Sequence, residues 1–250
     1  MLTFDPYAQN ESFNNTFNSY VYESLVQYDK KFDIVPQLAV KWEQMGPTQW
    51  RFHLRPNVTF QEGEPLTADD VVFSFSRQMS KRSMMKAYLS GIGEAKKVDD
   101  MTVDIITTGP APVLLRQLTD VRIMSKSWCE KHNVVEVQDY LQKEETYAVG
   151  HANGTGPYVL KAREPDVKTV LDTNPNWWGL KDGRFEGNAD EVIYAPIVSD
   201  ATRVAALISG EVDLINDPPP QDVPRLAQTS GIKVLEGTEN RIVFIGMDQA

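Results

Sequence analysis

Residues 191–215, EVIYAPIVSDATRVAALISGEVDLI, decide the fold. Val192, Tyr194 and Ile197 begin an apolar, β-rich run, with Pro196 marking its end. Ser199 or Asp200 can then cap the free N–H groups of a first helical turn. Ala201, Val204, Ala205 and Ile208 recur at i, i+3, i+4 and i+7, which predicts one buried stripe along a helix. Gly210 stands where a left-handed stop is cheapest, and residues 212–215 resume as a strand. Strand, helix and strand predict a right-handed parallel crossover lying beside a first strand at Leu2-Thr3-Phe4. The helix carries no catalytic side chain. The unit therefore reads as scaffold, with function on loops at strand ends.

Composition narrows the classes. Hydrophobic residues make up 41% of 250, enough for a sizeable core, in one large domain or two ordinary ones. A net charge of −10 argues against nucleic acid as a main partner, because phosphate binding wants a basic face. No run of 18 apolar residues suggests a membrane span. Cys129 is the single cysteine, so an internal disulfide and a four-thiolate zinc site are excluded. The opening MLTFDP has no basic and apolar leader pattern, which predicts a cytosolic chain or one whose export signal has been removed. The close on MDQA, directly after an apolar run, predicts a chain that is cut rather than finished.

Taken in order, residues 16–28 predict a helix with Phe17, Tyr20, Val21, Leu25 and Tyr28 on one face, read as core packing. Residues 41–55 switch to strand, Gly46-Pro47-Thr48 turn, strand. There Trp50, Phe52 and Leu54 alternate with Arg51, His53 and Arg55, which sets His53 on the wet face. Thr67 with Asp70 forms a short capping box ahead of a helix burying Val71, Val72, Phe75 and Met79. Capping and the helix dipole account for Asp69 and Asp70 without metal or acid–base chemistry. Residues 95–107 predict a hairpin, and short helices follow at 111–118 and 127–133 with a brief strand at 121–124 between them. Residues 137–146 predict a surface helix. Residues 158–161 and 169–172 pair as a second hairpin, NPNWWG (174–179) is a turn, and 182–188 is a charged surface loop. Asp217-Pro218-Pro219-Pro220 is a stiff connector, 222–228 a helix, and 232–235 and 241–247 are strands. This order predicts an α/β lobe made of 1–35 and 151–250, interrupted by a β-rich insert at 36–150.

Catalytic signals are missing from the sequence. It holds no G-x-S-x-G elbow, H-E-x-x-H or P-loop, and Gly91-Ile92-Gly93 lacks a following helix pattern. Neither an enzymatic activity nor a cofactor or metal is expected.

Six blocks carry a family resemblance: VYESL (21–25), VPQLAVKWE (35–43), WRFHLRPNVTFQEGEPLTADDVVFSF (50–75), NGTGPYVL (153–160), NPNWWG (174–179) and ATRVAALISGEVDL (201–214). In this order they resemble the family 5 extracellular solute-binding proteins, the peptide-, glutathione- and nickel-type receptors of bacterial ABC importers. The likeness is strongest to the oligopeptide and glutathione types. It implies an α/β, periplasmic-binding-protein-like (type II) lobe with an inserted β-rich α+β domain, the second ligand lobe lying beyond this sequence. It further implies a periplasmic monomer that captures a small peptide by lobe closure and delivers it to the permease subunits of the inner membrane. Gln61 and Glu62 replace the histidine and aspartate usual before the glycine of that block, a departure expected to change surface chemistry rather than binding. The lobe beyond this sequence is expected to supply the acidic partner of a peptide amino terminus.

The candidate ligand-binding loops are 7–12, the Arg122 region and 239–241. Tyr7 is expected to offer an aromatic face and Gln9 and Asn10 hydrogen bonds to peptide groups. Arg122 or Arg241 is expected to meet a carboxylate. Residues 154–156 are expected to steer the chain back into the lobe. Two rival classes remain: a secreted peptide or ester hydrolase, which needs a nucleophile–base pair, and a ligand sensor on the same fold that does not transport.

Overall fold

The computed structural model describes residues 3–181, 183 and 189–237. In chain order the elements are α1 (Ser12–Val21), β1 (Val26–Tyr28), β2 (Ile34–Pro36), β3 (Ala39–Gly46), β4 (Gln49–Leu54), α2 (Ala68–Gln78), β5 (Ile92–Asp99) and β6 (Thr102–Thr107). There follow α3 (Leu114–Gln117), α4 (Lys126–Lys131), α5 (Tyr147–Gly150), β7 (Tyr158–Glu164), β8 (Lys168–Thr173), β9 (Glu191–Tyr194), α6 (Asp200–Ser209) and α7 (Val223–Gln228). Two compact units hold them, 1–195 and 196–250.

In the first unit the alternating apolar runs become ladders. β3, β4, β6 and β5 form a four-stranded antiparallel sheet in that order, and β7, β8 and β9 a three-stranded one. As expected, Phe52 and Leu54 face inward, while His53 on the wetter face pairs with Glu43 at 3.0 Å. Asp70 accepts the Thr67 backbone N–H at 2.9 Å, so the predicted capping box starts α2. One core, with Phe52, Val71, Phe75 and Ile105, lies between α2 and the larger sheet; a second gathers Phe4, Tyr7, Val21, Trp128, Val137, Tyr158 and Leu171.

Several expectations fail, each where a side chain or a distant carbonyl takes the backbone bonds. The helix expected at 16–28 runs instead from Ser12 to Val21. The Val21 carbonyl accepts Gly156 N–H at 2.9 Å, the chain turns extended at Tyr22, and 26–28 pair with 34–36. Thr3 and Phe4 are irregular: Asn14 and Asn18 side chains bond the Thr3 backbone, and Phe4 N–H reaches Val149 O. No strand forms at 121–124, where Ile123 N–H goes to Glu23 O and Met124 N–H to Ser74 Oγ. Residues 137–146 make turns rather than a helix, because Gln138, Asp139 and Glu144 side chains capture the local backbone.

The opening stretch is half right. β9 exists and pairs antiparallel with β8, Thr169 opposite Tyr194, whereas the strand expected at 212–215 does not form. In the second unit Ser199 Oγ accepts Thr202 N–H at 3.4 Å, and Gly210 ends α6 in the left-handed region at φ 77°. The buried stripe is rotated from the expected one: Val204 and Ala206 are covered, whereas Ala201, Ala205 and Ile208 are exposed. Residues 212–215 and 232–235 form no strand, since an apolar run needs a partner ladder and none of the described residues supplies one. Arg241, the 239–241 loop and the 241–247 strand lie outside the described residues.

Candidate functional site

The segment after Phe4 is pinned from below by a buried ion pair. Asp5 takes the Arg77 guanidinium with both oxygens at 2.7 Å, and neither side chain is more than 1% exposed. Gln138 N–H also donates to Asp5, and Arg77 donates to the carbonyls of Val134, Val135 and Glu136, so both charges are furnished with bonds. Tyr7 stacks under that guanidinium, its ring centre 5.4 Å from the Arg77 carbon, and donates its hydroxyl to the Arg122 carbonyl. It is fully buried, which pushes its phenol pKa well up. Tyr7 therefore supports the loop and presents no aromatic face, contrary to expectation.

Gln9 and Asn10 sit above. Gln9 is only 5% exposed, and its Oε1 has no hydrogen-bond partner among the described residues. Exposed Asn10 accepts from Asn15 Nδ2 at 3.2 Å and Tyr88 hydroxyl at 3.4 Å.

Arg122 is half-buried, and its Nη1 donates to Ser24 Oγ at 3.0 Å. Ser24 is itself fixed: its hydroxyl donates to Thr119 O at 3.0 Å and its N–H to Gln37 Oε1 at 2.9 Å. Burial lowers the Arg122 pKa; Asp120, Tyr7 and Glu23 act the other way, and a guanidinium stays charged regardless. Among the described residues no carboxylate stands within ion-pair distance of it. A desolvated cation without an ion partner is a place for an external anion.

Glu23 was not anticipated. It is 1% exposed and accepts the indole N–H groups of Trp178 at 2.8 Å and Trp177 at 3.2 Å. Burial pushes its carboxyl up to about 7 against the indoles and Arg55, which pull it down. Arg55 lies 4.0 Å above the Trp178 ring. The available signal was the single charged residue of the VYESL block.

The turn at 154–156 serves packing. A Cβ on Gly154 would come 1.9 Å from Val21 O, and one on Gly156 2.6 Å from Tyr20 O, so both glycines let two backbones touch. Residues 154–156 thus lie where the chain returns against α1. Gln61 Nε2 reaches Tyr158 O at 2.8 Å, and the exposed Glu62 accepts the buried Trp128 indole at 2.7 Å and pairs with Lys131 at 3.0 Å. His132 and His151 sandwich the Tyr147 ring at 4.1 and 3.8 Å. Among the described residues no group of three or more His, Cys, Asp and Glu is placed to hold a metal ion, and no helix is long and apolar enough to cross a membrane.

Comparison with known proteins follows the same lines. Residues 33–250 match the family described as bacterial extracellular solute-binding proteins, family 5 Middle. The chain is 30% identical over 242 residues to the dipeptide-binding protein of Escherichia coli K12, covering 86% of this chain and 42% of that one. It is 24% identical over 229 residues to the periplasmic oligopeptide-binding protein OppA of the same organism, covering 80% of this chain and 38% of OppA. Among solved structures, the periplasmic binding protein DppA from Helicobacter pylori, in complex with the peptide STSA, superposes with a TM-score of 0.75 at 27% identity over 91% of this chain and 47% of that one. The Agrobacterium protein AgaA, bound to agropinic acid, gives 0.78 at 23% identity over 91% of this chain and 44% of its own, a likeness of fold. The fold is the mixed α/β architecture of periplasmic binding proteins, and the chain spans less than half the length of these relatives.

Proposed function

Because the chain belongs to the family 5 bacterial extracellular solute-binding proteins, we propose that it is a periplasmic, monomeric receptor that captures a small peptide. It holds the peptide without altering it and hands it to the permease subunits of an ABC importer. The relatives named for dipeptides and oligopeptides support this substrate class. The observation that carries it is Arg122, a half-buried guanidinium held by Ser24 with no carboxylate in ion-pair reach among the described residues. In this reading Arg122 receives a ligand carboxylate, Gln9 Oε1 accepts a peptide N–H, and Asn10 bonds a neighbouring peptide group. Tyr7 acts from beneath, and Arg241 stays a candidate second cation.

Calorimetry of the protein against di- and tripeptides, glutathione and a nickel complex tests the substrate class. Peptide binding that weakens about 10- to 100-fold in Arg122→Ala, as loss of a charge-assisted bond predicts, supports the assignment. Nickel or glutathione alone binding would replace it.

A further inference from the structure

Arg122 is fastened through both its backbone and its side chain. Its carbonyl accepts the Tyr7 hydroxyl, and the next N–H, of Ile123, donates to Glu23 O at 2.8 Å. Its side chain makes a single hydrogen bond among the described residues, from Nη1 to Ser24 Oγ at 3.0 Å. The polarity of that bond is forced. The Thr119 carbonyl can only accept, so it takes the one proton of the Ser24 hydroxyl, at 3.0 Å. Ser24 therefore turns a lone pair to Arg122, and a guanidinium, which only donates, can use nothing else. The Ser24 backbone is held as well: its N–H donates to Gln37 Oε1 at 2.9 Å, and its carbonyl accepts Leu38 N–H at 3.1 Å.

Engaging Nη1 leaves the Nε–Nη2 edge, which bonds nothing among the described residues, on a half-buried side chain that still reaches solvent. Arg51 shows what such an edge does in this fold: its Nε and Nη2 take both oxygens of Asp104, at 2.8 and 2.9 Å. A carboxylate meets that fork with two acceptors. A primary amide offers one, and sets its own N–H groups against the other donor. We propose that Ser24 is the positioning residue of the Arg122 subsite, its hydroxyl fixing the guanidinium so that the Nε–Nη2 fork receives a free C-terminal carboxylate in preference to an amidated one. The proposal rests on the reading of Arg122 as the partner of a ligand carboxylate. A long side chain held before the ligand arrives has less freedom left to lose on binding.

Calorimetry of the protein with tri-alanine and with tri-alanine amide tests the role. The wild type should favour the free acid by about 10-fold or more, and Arg122→Gln should abolish that preference. Ser24→Ala should narrow the ratio of the two affinities by about 2- to 10-fold, and should narrow it no further when added to Arg122→Gln. Ser24→Cys keeps the volume but offers a weak acceptor, so it should act as Ser24→Ala does. It carries the test if the alanine variant fails to fold. A ratio unchanged in the Ser24 variants, even where both affinities fall together, overturns the positioning role. A ratio unchanged in Arg122→Gln, or a wild type that binds neither probe or both alike, overturns instead the reading of Arg122 beneath it.

Discussion

Asp5 and Arg77 show how much one residue pair can organise without being part of a binding face. Their bidentate bond, with every further donor and acceptor occupied, joins the segment before α1, the helix α2 and the loop at 134–138. Removing one partner strands the other charge in a dry site. Arg77→Met should therefore cost about 3–5 kcal/mol in urea unfolding, and the double variant Asp5→Asn with Arg77→Met should recover part of it. Glu23 acts in the opposite direction. Its carboxyl is raised from 4.5 to about 7 in the fold, so the folded state holds a proton that the unfolded chain has lost. Stability from this group is complete below about 4.5 and falls as pH rises towards 7, by up to about 1.4 kcal/mol per pH unit. Glu23→Gln should flatten that part of the stability curve. An unchanged slope would place the titration elsewhere.

Elements here are set by local chemistry at their ends and by close approach at their crossings. Thr67 and Asp70 start α2, and Gly210 stops α6. Gly210→Ala should cost about 1–2 kcal/mol, because only glycine takes the left-handed stop without strain. The end of α1 is different in kind. It stops where Gly154 and Gly156 come against the carbonyls of residues 20 and 21, and a backbone atom cannot swing aside as a side chain can. Gly154→Ala should lower stability by more than about 2 kcal/mol in thermal unfolding. A substitution at Gly46, where an added Cβ meets nothing within 4 Å, is the control.

Across the whole molecule, the division into a lobe of 1–35 with 151–250 and an insert at 36–150 is our proposal for its domain organisation. The larger sheet, β3 to β6, has its own core with α2, as the insert requires. Residues 124–148 contribute Met124, Trp128, Val137 and Ala148 to the other core, beside Phe4 and Tyr158. Native-state hydrogen exchange should give β3–β6 one protection level and α1 with β7–β9 another. A single level shared by both would favour one cooperative body.

The sequence by itself determined what is settled within a few residues: the hairpin alternation of β3–β4, β5–β6 and β7–β8, the capping box at Thr67 and the stop at Gly210. It also carried the family, through six blocks in a fixed order along the chain. What only the tertiary structure decided depends on partners far apart in the chain. The indole of Trp178 meets Glu23 across 155 positions, and Tyr7 meets the Arg122 carbonyl across 115. Tyr7 looked like a ligand face and is buried, and residues 212–215 looked like a strand and are not, for the same reason. Apolar patterning says that a residue seeks cover, whereas what covers it, and whether a ladder is there to join, is fixed only when distant segments pack.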